Sequence, residues 1–299
     1  VIPVSTQKIH IISIVKDDNT GLKRTLNSIA AQVFSNALVS ILIIDGSTSE
    51  TTTEITKLFR HLDISLIRRE PQGIYNAMNK GIEELASICP SDECLIIFLN
   101  AGDFFIDASA IQKIVDASQG PSFVVSNAVM FDPLRNTSLI YPEIIFGTGI
   151  EFMHPVVFWL PHQGIAARYS LYKQVGLFSE DFMIAGDYDW IYRAVKQFGT
   201  PFIVHERLVA QVIDGVSNKK SFSGYRERLR LAKLIGLQEI KLPGNLVLKM
   251  RLKESLPHKT LTIFRLCSQK LNFENRRIKL EPHEGNCECP VCLFSQYSL

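Results

Sequence analysis

No apolar run in the chain approaches the roughly 20 residues that a membrane-spanning helix needs. The opening residues, Val1-Ile2-Pro3-Val4-Ser5-Thr6, lack the basic, apolar and small-residue order of a secretory signal. The expected compartment is therefore the cytoplasm. The six cysteines (Cys89, Cys94, Cys267, Cys287, Cys289 and Cys292) are expected to be reduced thiols, not a disulfide framework. There is no phosphate-binding glycine loop ending in Lys and Ser or Thr. There is no dinucleotide glycine fingerprint after the first strand, and no serine nucleophile flanked by glycines. Internal repeats and low-complexity tracts are also missing. These absences set aside P-loop, dinucleotide and serine-hydrolase chemistry.

What remains is a chain of 299 residues, 46% hydrophobic and 21% charged. That is enough for one large α/β domain with an appendage. Net charge is only +2, but it is uneven. Residues 1–218 carry 16 Lys and Arg against 23 Asp and Glu, residues 219–280 carry 16 against 4, and the last 19 residues carry 0 against 3. The expected division is a catalytic domain over 1–218, a basic and mostly helical extension over 219–280, and a Cys-rich tail over 281–299. A basic extension suits a polyanionic partner such as an anionic lipid surface, and the same pattern also serves a solvated helical face. Its aromatics are not interleaved regularly with its basic residues, so no nucleic-acid partner is expected.

Strand and helix patterns alternate along the first half. Residues 9–15, 39–44, 64–67, 94–99 and 122–130 read as strands. Residues 22–30, 49–60 and 73–87 read as helices, followed by another that Asp107 should cap. This order predicts a mainly parallel sheet covered on both faces. Residues 131–165 read as irregular, a segment suited to a binding rim. Helices follow at 170–175 and 187–198.

Polar clusters stand where strands or loops end. Ile41-Leu42-Ile43-Ile44 stops at Asp45-Gly46-Ser47, and Leu95-Ile96-Ile97-Phe98-Leu99 stops at Asn100-Ala101-Gly102-Asp103. Ligands in open α/β sheets sit at strand C-termini. Asp45 can accept hydrogen bonds from a base or ribose, or simply cap the next helix. Asp103 can hold a hard divalent cation with Asn100 adding a neutral oxygen, or the segment can be a plain turn. Asp187 and Asp189 enter a helix two residues apart, so their side chains diverge and one is expected to face the site. A partly desolvated carboxylate there suits a base for a hydroxyl; capping is the plainer reading. His162, with Gln163, can contact substrate hydroxyls or phosphate, or be structural. His283, Cys287, Cys289 and Cys292 could close a tetrahedral Zn2+ site or lie in a frayed tail.

These pieces occur in an order that resembles the family 2 glycosyltransferases, in particular small bacterial enzymes of colanic-acid and other surface-polysaccharide synthesis. The resemblance covers about residues 8–215. It runs from Ser13-Ile14-Val15 and Leu26-Asn27-Ser28-Ile29 through Ile44-Asp45-Gly46-Ser47-Thr48, Glu70 to Gly81 and Phe98 to Asp103. It then continues through His162-Gln163-Gly164 and from Gly176 to Arg193. It implies a GT-A (Rossmann-like) fold and inverting transfer of a sugar from a nucleotide-sugar donor. The acceptor would be a hydroxyl of a glycan or polyprenyl-linked molecule, at the inner face of the cytoplasmic membrane.

By the same resemblance Asp187 matches the catalytic base, Asp45 the nucleotide-binding aspartate, and Asp103 the ligand of Mn2+ or Mg2+. Lys16, Asp17, Glu70, Gly73, Asn76, Lys80 and Asn100 fall on the donor side, and His162, Gln163 and Asp189 on the acceptor side. Asn76, Asn100 and Gly102 stand where many relatives carry aspartate, and Gly186 where many carry glutamate. There is no Gln-x-x-Arg-Trp motif, so one sugar per acceptor is expected instead of a processive synthase. A catalytically inactive nucleotide-sugar-binding scaffold is the alternative. A nucleotidyltransferase would need a basic, Gly-rich N-terminal phosphate loop that residues 16–21 do not supply.

Overall fold

The apolar runs form the parallel centre of a sheet, in the order β4-β1-β2-β3: β1 (Gln7–Val15), β2 (Ala37–Asp45), β3 (Ile64–Arg68) and β4 (Leu95–Phe98). Successive side chains on a strand point to opposite faces, and these strands obey that rule on both sides. Ile12, Leu42, Ile44, Ile96 and Phe98 join one core, while Ile9, Ile11, Ile41, Ile43, Leu95 and Ile97 join the other. A strand buried on both faces must be apolar throughout, which is why its polar end residue is conspicuous. The first core takes in helix α3 (Ile74–Ile88), the second α1 (Asn19–Ala30) and part of α2 (Thr51–Leu58). The computed structural model describes residues 6–89, 91–132, 137–140, 155, 161–213, 220–237, 242–255 and 277–278.

Beyond β4 the sheet changes character. The remaining elements are β5 (Phe104–Phe105), α4 (Ala110–Ala117), β6 (Phe123–Asp132), β7 (Thr137–Ile140), β8 (Ile165–Arg168), α5 (Tyr169–Val175), α6 (Gly186–Phe198), β9 (Phe202–Val212), α7 (Ser221–Leu234), α8 (Gly244–Ser255) and β10 (Arg277–Ile278). β8 wedges antiparallel between β4 and β6. β9 runs parallel to β6, with register shifts around Asn127, and its far end pairs with β5. The whole order is β10-β7-β6-β8-β4-β1-β2-β3.

Four local expectations change. Part of the segment expected to be irregular is strand, at β7 and at the start of β8; most of residues 133–160 lie outside the described residues. β9, eleven residues long, had no counterpart in the sequence reading. Asp107 does not cap α4; Ser109 takes that place, and the Asp107 carboxylate accepts from its N–H and hydroxyl. Cys89 and Cys94, expected as reduced thiols, are joined by a disulfide. The tail with His283, Cys287, Cys289 and Cys292 lies outside the described residues. No helix among the described residues is long and apolar enough to cross a membrane.

An aromatic cluster locks α5 and α6 onto the sheet. Tyr172 and Trp190 stack at 4.5 Å, and Phe178 meets both Phe98 and Trp190. The Trp190 indole N–H donates to the Gly176 carbonyl at 2.9 Å, so its burial leaves no polar atom stranded. Truncating it to Ala would cost roughly 3–5 kcal/mol. This packing fixes the N-terminus of α6, which carries Asp187.

Candidate active site

Asp187 lies in the first turn of α6, where the helix dipole favours a negative charge. Its carboxylate is held by three donors. Oδ1 accepts from the Tyr75 hydroxyl at 3.1 Å and from the Tyr188 N–H at 2.9 Å. Oδ2 faces His162 Nδ1 at 3.3 Å. His162 Nε2 in turn lies 3.3 Å from the Asn100 amide nitrogen. The chain is satisfied when Asn100 donates to Nε2 and the imidazole carries its proton on Nδ1, towards Asp187. Burial holds the Tyr75 hydroxyl well above its ordinary pKa, with the Asp187 charge adding to the effect, so it stays a donor. The single Tyr75 hydroxyl proton is shared between Asp187 and the Ile184 carbonyl, which at 2.7 Å is the shorter contact.

Gly186 explains itself here. A Cβ at that position would meet the Tyr75 ring at 2.8 Å, closer than real contacts allow. The ring occupies the space where a larger residue would sit, and the sequence exchanges that side chain for a phenol aimed at the neighbouring carboxylate. Asp189, two residues on, turns away. Arg193 grips it at 2.9 Å and donates to the carbonyls of Val175 and Leu177.

A second group of polar residues lies where β1 and β2 end. Asp45 is almost wholly buried. Its Oδ1 accepts from the Ser47 N–H at 2.8 Å, while Oδ2 lies 3.7 Å from Arg68 Nε with no hydrogen-bond partner among the described residues. An unsatisfied buried carboxylate oxygen invites a donor from a ligand. Asp17 takes a left-handed backbone (φ 52°) and accepts from the Thr48 N–H and hydroxyl. Those bonds hold its carboxyl below the usual pKa range. The Asp17 N–H donates to Ser47 Oγ, tying the two loops together. Lys16, Glu70 and Gly73 are exposed around this end.

Asn76 and Lys80 lie on α3. The Asn76 amide donates to Glu180 at 3.0 Å, as does Asn79, and Lys80 pairs with Glu83 at 2.7 Å. Asn79 also clamps Phe178, donating to its carbonyl and accepting from its N–H.

Asp103 sits behind the Gly102 turn. Its oxygens accept from Gln163 Nε2 at 2.9 Å and the Val212 N–H at 3.2 Å. Burial pushes its pKa up to about 6, against the pull of His162 and those two donors. Gly102 has φ +102°, a conformation natural to glycine. A side chain there would point at Asp18 Oδ2, 3.6 Å from the Cβ position. Asp18 Oδ1 caps α1 by accepting from the Gly21 N–H at 2.8 Å, which leaves Oδ2 beside the turn. A sugar-nucleotide cation needs only one or two carboxylates besides the donor phosphates. Asp18 Oδ2 stands beside Gly102, and Asp103 follows that turn with its oxygens accepting from Gln163 and Val212.

The structure thus brings His162, Asn100 and Asp187 together, joins Gln163 to Asp103, and links Asp17 to Asp45. It does not bring Asp189 to the same cluster. Four residues escaped the sequence reading: Tyr75, Asp18, Glu180 and Glu227. Glu227, on α7, accepts from the N–H groups of Met183, Ile184 and Ala185 at 2.7–3.1 Å, and so fixes the loop that leads into Asp187. Its one available signal was an acid standing within a strongly basic segment. Asp18 could have been found from its three-residue spacing to Gly21 ahead of a helix.

The sequence profile of Glycosyl transferase family 2 matches residues 11–179, more than half of the chain. The chain belongs to glycosyl transferase family 2. It is 26% identical over 198 residues to an uncharacterized glycosyltransferase of Mycobacterium tuberculosis (strain ATCC 25618 / H37Rv), covering 64% of this chain and 70% of that one. It is 23% identical over 227 residues to the PGL/p-HBAD biosynthesis glycosyltransferase of Mycobacterium bovis (strain BCG / Pasteur 1173P2), covering 73% and 82%. Among solved structures, S. aureus TarS 1-349 in complex with UDP-GlcNAc shares the fold with TM-score 0.54 at 13% identity, over 90% of this chain and 77% of that one. The chain spans only 46% of a longer TarS chain. Mannosyltransferase PcManGT from Pyrobaculum calidifontis, in complex with GDP-Man and Mn2+, gives TM-score 0.55 at 12% identity, over 87% and 74%. This family 2 chain is a glycosyltransferase of GT-A fold.

Proposed function

We propose that this glycosyltransferase moves one sugar per acceptor from a nucleoside-diphosphate sugar to a hydroxyl, by a single displacement with inversion. The observation that carries this reading is the Asp187 carboxylate, set by Tyr75 and His162 at the same sheet edge as the unsatisfied Asp45 oxygen. The donor's base and ribose lie against Asp17 and Asp45. Lys16, Glu70, Gly73, Asn76 and Lys80 line its path. The acceptor hydroxyl attacks the anomeric carbon opposite the leaving diphosphate, the new C–O bond forming as the old one breaks. Its proton passes to Asp187 Oδ2, because Oδ1 already accepts from Tyr75 and Tyr188. His162 keeps that oxygen turned towards the acceptor, with Gln163 next to it in the chain, while Asp189, held by Arg193, takes no part. A divalent cation, Mn2+ or Mg2+, would be held by Asp103 and Asp18 and neutralises charge on the leaving diphosphate when bound.

Two shared folds with bound sugar nucleotides, UDP-GlcNAc in one and GDP-Man with Mn2+ in the other, support a donor of this class. A relative named for PGL/p-HBAD biosynthesis supports a surface-glycan or lipid-linked acceptor. The basic segment supports docking on the anionic inner face of the cytoplasmic membrane: α8 exposes Leu246, Leu248 and Leu252 among Lys249 and Arg251. Vesicles of anionic lipid should retain the protein at low salt and release it at high salt; equal indifference at both salts rejects the docking.

The test of the donor reading is a thermal-shift panel of UDP-, GDP-, dTDP- and CMP-sugars, with Mn2+, Mg2+ or chelator. A donor at a hundred times its dissociation constant adds about 2.7 kcal/mol of stability. A metal-dependent shift with one nucleotide class, followed by transfer, supports the proposal. Binding without transfer or hydrolysis returns the scaffold reading.

A further inference from the structure

At the opposite end of the sheet from Asp45 and Asp187 lies a second group of reactive side chains. His10 is in the first half of β1, Cys89 closes α3, and Cys94 immediately precedes β4. All three are more than nine-tenths buried. His10 Nδ1 meets Ser40 Oγ at 2.6 Å, which turns the other ring nitrogen inward. That nitrogen, Nε2, is buried with no hydrogen-bond partner among the described residues. His10 offers a ring nitrogen within 4.8 Å of both sulfurs.

We propose that, with its thiols reduced, the chain binds a soft divalent cation of the Zn2+ class through His10 Nε2, Cys89 Sγ and Cys94 Sγ. The four-residue interval between the cysteines is within the usual range for zinc ligands. Two thiolates and one neutral imidazole balance a dication, so the complex adds no net charge to an apolar site. The Ser91 carbonyl lies 2.7 Å from Cys89 Sγ, an oxygen next to the sulfur pair. Sulfur and imidazole select Zn2+ over the Mg2+ or Mn2+ that oxygen donors prefer, so this site and the donor-side cation do not compete.

The chemistry is a switch between two covalent states. A thiol reductant gives the disulfide two electrons and two protons and is itself oxidised to a disulfide; Cys89 and Cys94 become thiols. The cation then displaces both protons. Bound, it ties β1, β4 and the end of α3 together. α3 carries Tyr75 at its other end.

The test uses full-length protein reduced with a phosphine, which takes oxygen from water as it supplies the two electrons. Co2+ is titrated while thiolate-to-cobalt charge-transfer absorption is followed. The tail cysteines are a rival source of thiolate, so a Cys287→Ser/Cys289→Ser/Cys292→Ser variant is titrated in parallel. The band should persist in that variant and vanish when Cys89→Ser is added. His10→Gln should weaken Co2+ binding at least about tenfold. Absence of the band from the tail variant, or its survival after Cys89→Ser is added, overturns the proposal. So does a thiol titration showing that the pair stays bonded in reductant. Circular dichroism of each variant separates lost ligation from lost fold, and a Zn2+-induced rise in Tm of the tail variant gives an independent readout.

Discussion

The donor end and the base end of this molecule are built in different ways. At the donor end Asp45 ends β2 and Asp17 follows β1, two neighbouring parallel strands: the Ser47 N–H reaches Asp45 across two positions, Ser47 Oγ and Thr48 reach Asp17 across 30 and 31, and the strands beneath are contiguous apolar runs. At the base end the contacts are long-range. Tyr75 reaches Asp187 across 112 positions, and Asn100 reaches His162 across 62. A parallel βα unit can prepare a binding surface by itself. A reactive carboxylate needs donors from several elements at once, and the packing of α3, α6 and the turn before β8 brings Tyr75, Tyr188 and His162 to it.

The comparison predicts that damage at the base end slows chemistry while donor binding survives. The largest effect expected is that of Asp187→Asn. Removing a general base should lower kcat at least about 100-fold, measured as transfer at saturating donor.

Next is Asp103, which ties β9 and the Gln163 turn to the Gly102 loop. Its folded-state pKa of about 6 lies above the ordinary 3.8, so the native state binds the proton more tightly than the unfolded chain. Stability without cation is therefore greatest below about pH 4 and falls as pH rises through 6, by roughly 3 kcal/mol from this group. Asp103→Asn should remove that slope in denaturant titrations across the window. An unchanged slope would assign it to another group. Asp103→Asn and Asp18→Asn should each weaken the response of activity to Mn2+, and a variant with an undiminished response loses its place as a ligand.

Glu227→Gln replaces a charged acceptor of three N–H groups with a neutral one. It should cost about 2 kcal/mol of stability. It should also lower kcat about tenfold with donor KM unchanged, because the loop before Asp187 loosens. A change in KM alone would mean that Glu227 acts elsewhere. Tyr75→Phe, which removes one bond to Asp187, should cost about 1 kcal/mol in transition-state stabilisation, read as a kcat several-fold lower.

The sequence legibility follows the same division. Ile41 to Asp45 announced both a buried strand and the carboxylate at its end, because a strand covered on both faces must be apolar until it stops. The places of Asp187 at a helix entry and of Asp103 in the turn after β4 were legible, while the base and cation roles proposed for them came from the family resemblance. β9 was not, because His205 and Glu206 are exposed in the middle of it and break the apolar run. β8 is four residues with two alanines, too small a signal beside a segment of prolines and aromatics. Tyr75 looked like an ordinary helix residue; only Gly186, far away in sequence, leaves room for its ring. Glu227 and Glu180 are surface-type residues whose partners are backbone N–H groups or amides on other elements. Pairings of that kind are set by tertiary packing and leave no local pattern.

The division of labour is tested most directly by calorimetric donor binding to Asp45→Ala and Asp187→Asn, set beside transfer rates for the same two proteins. The account predicts that Asp45→Ala loses donor affinity, while Asp187→Asn binds donor as the unaltered protein does and fails to transfer. Near-normal turnover in Asp187→Asn, or donor affinity untouched in Asp45→Ala, would contradict it.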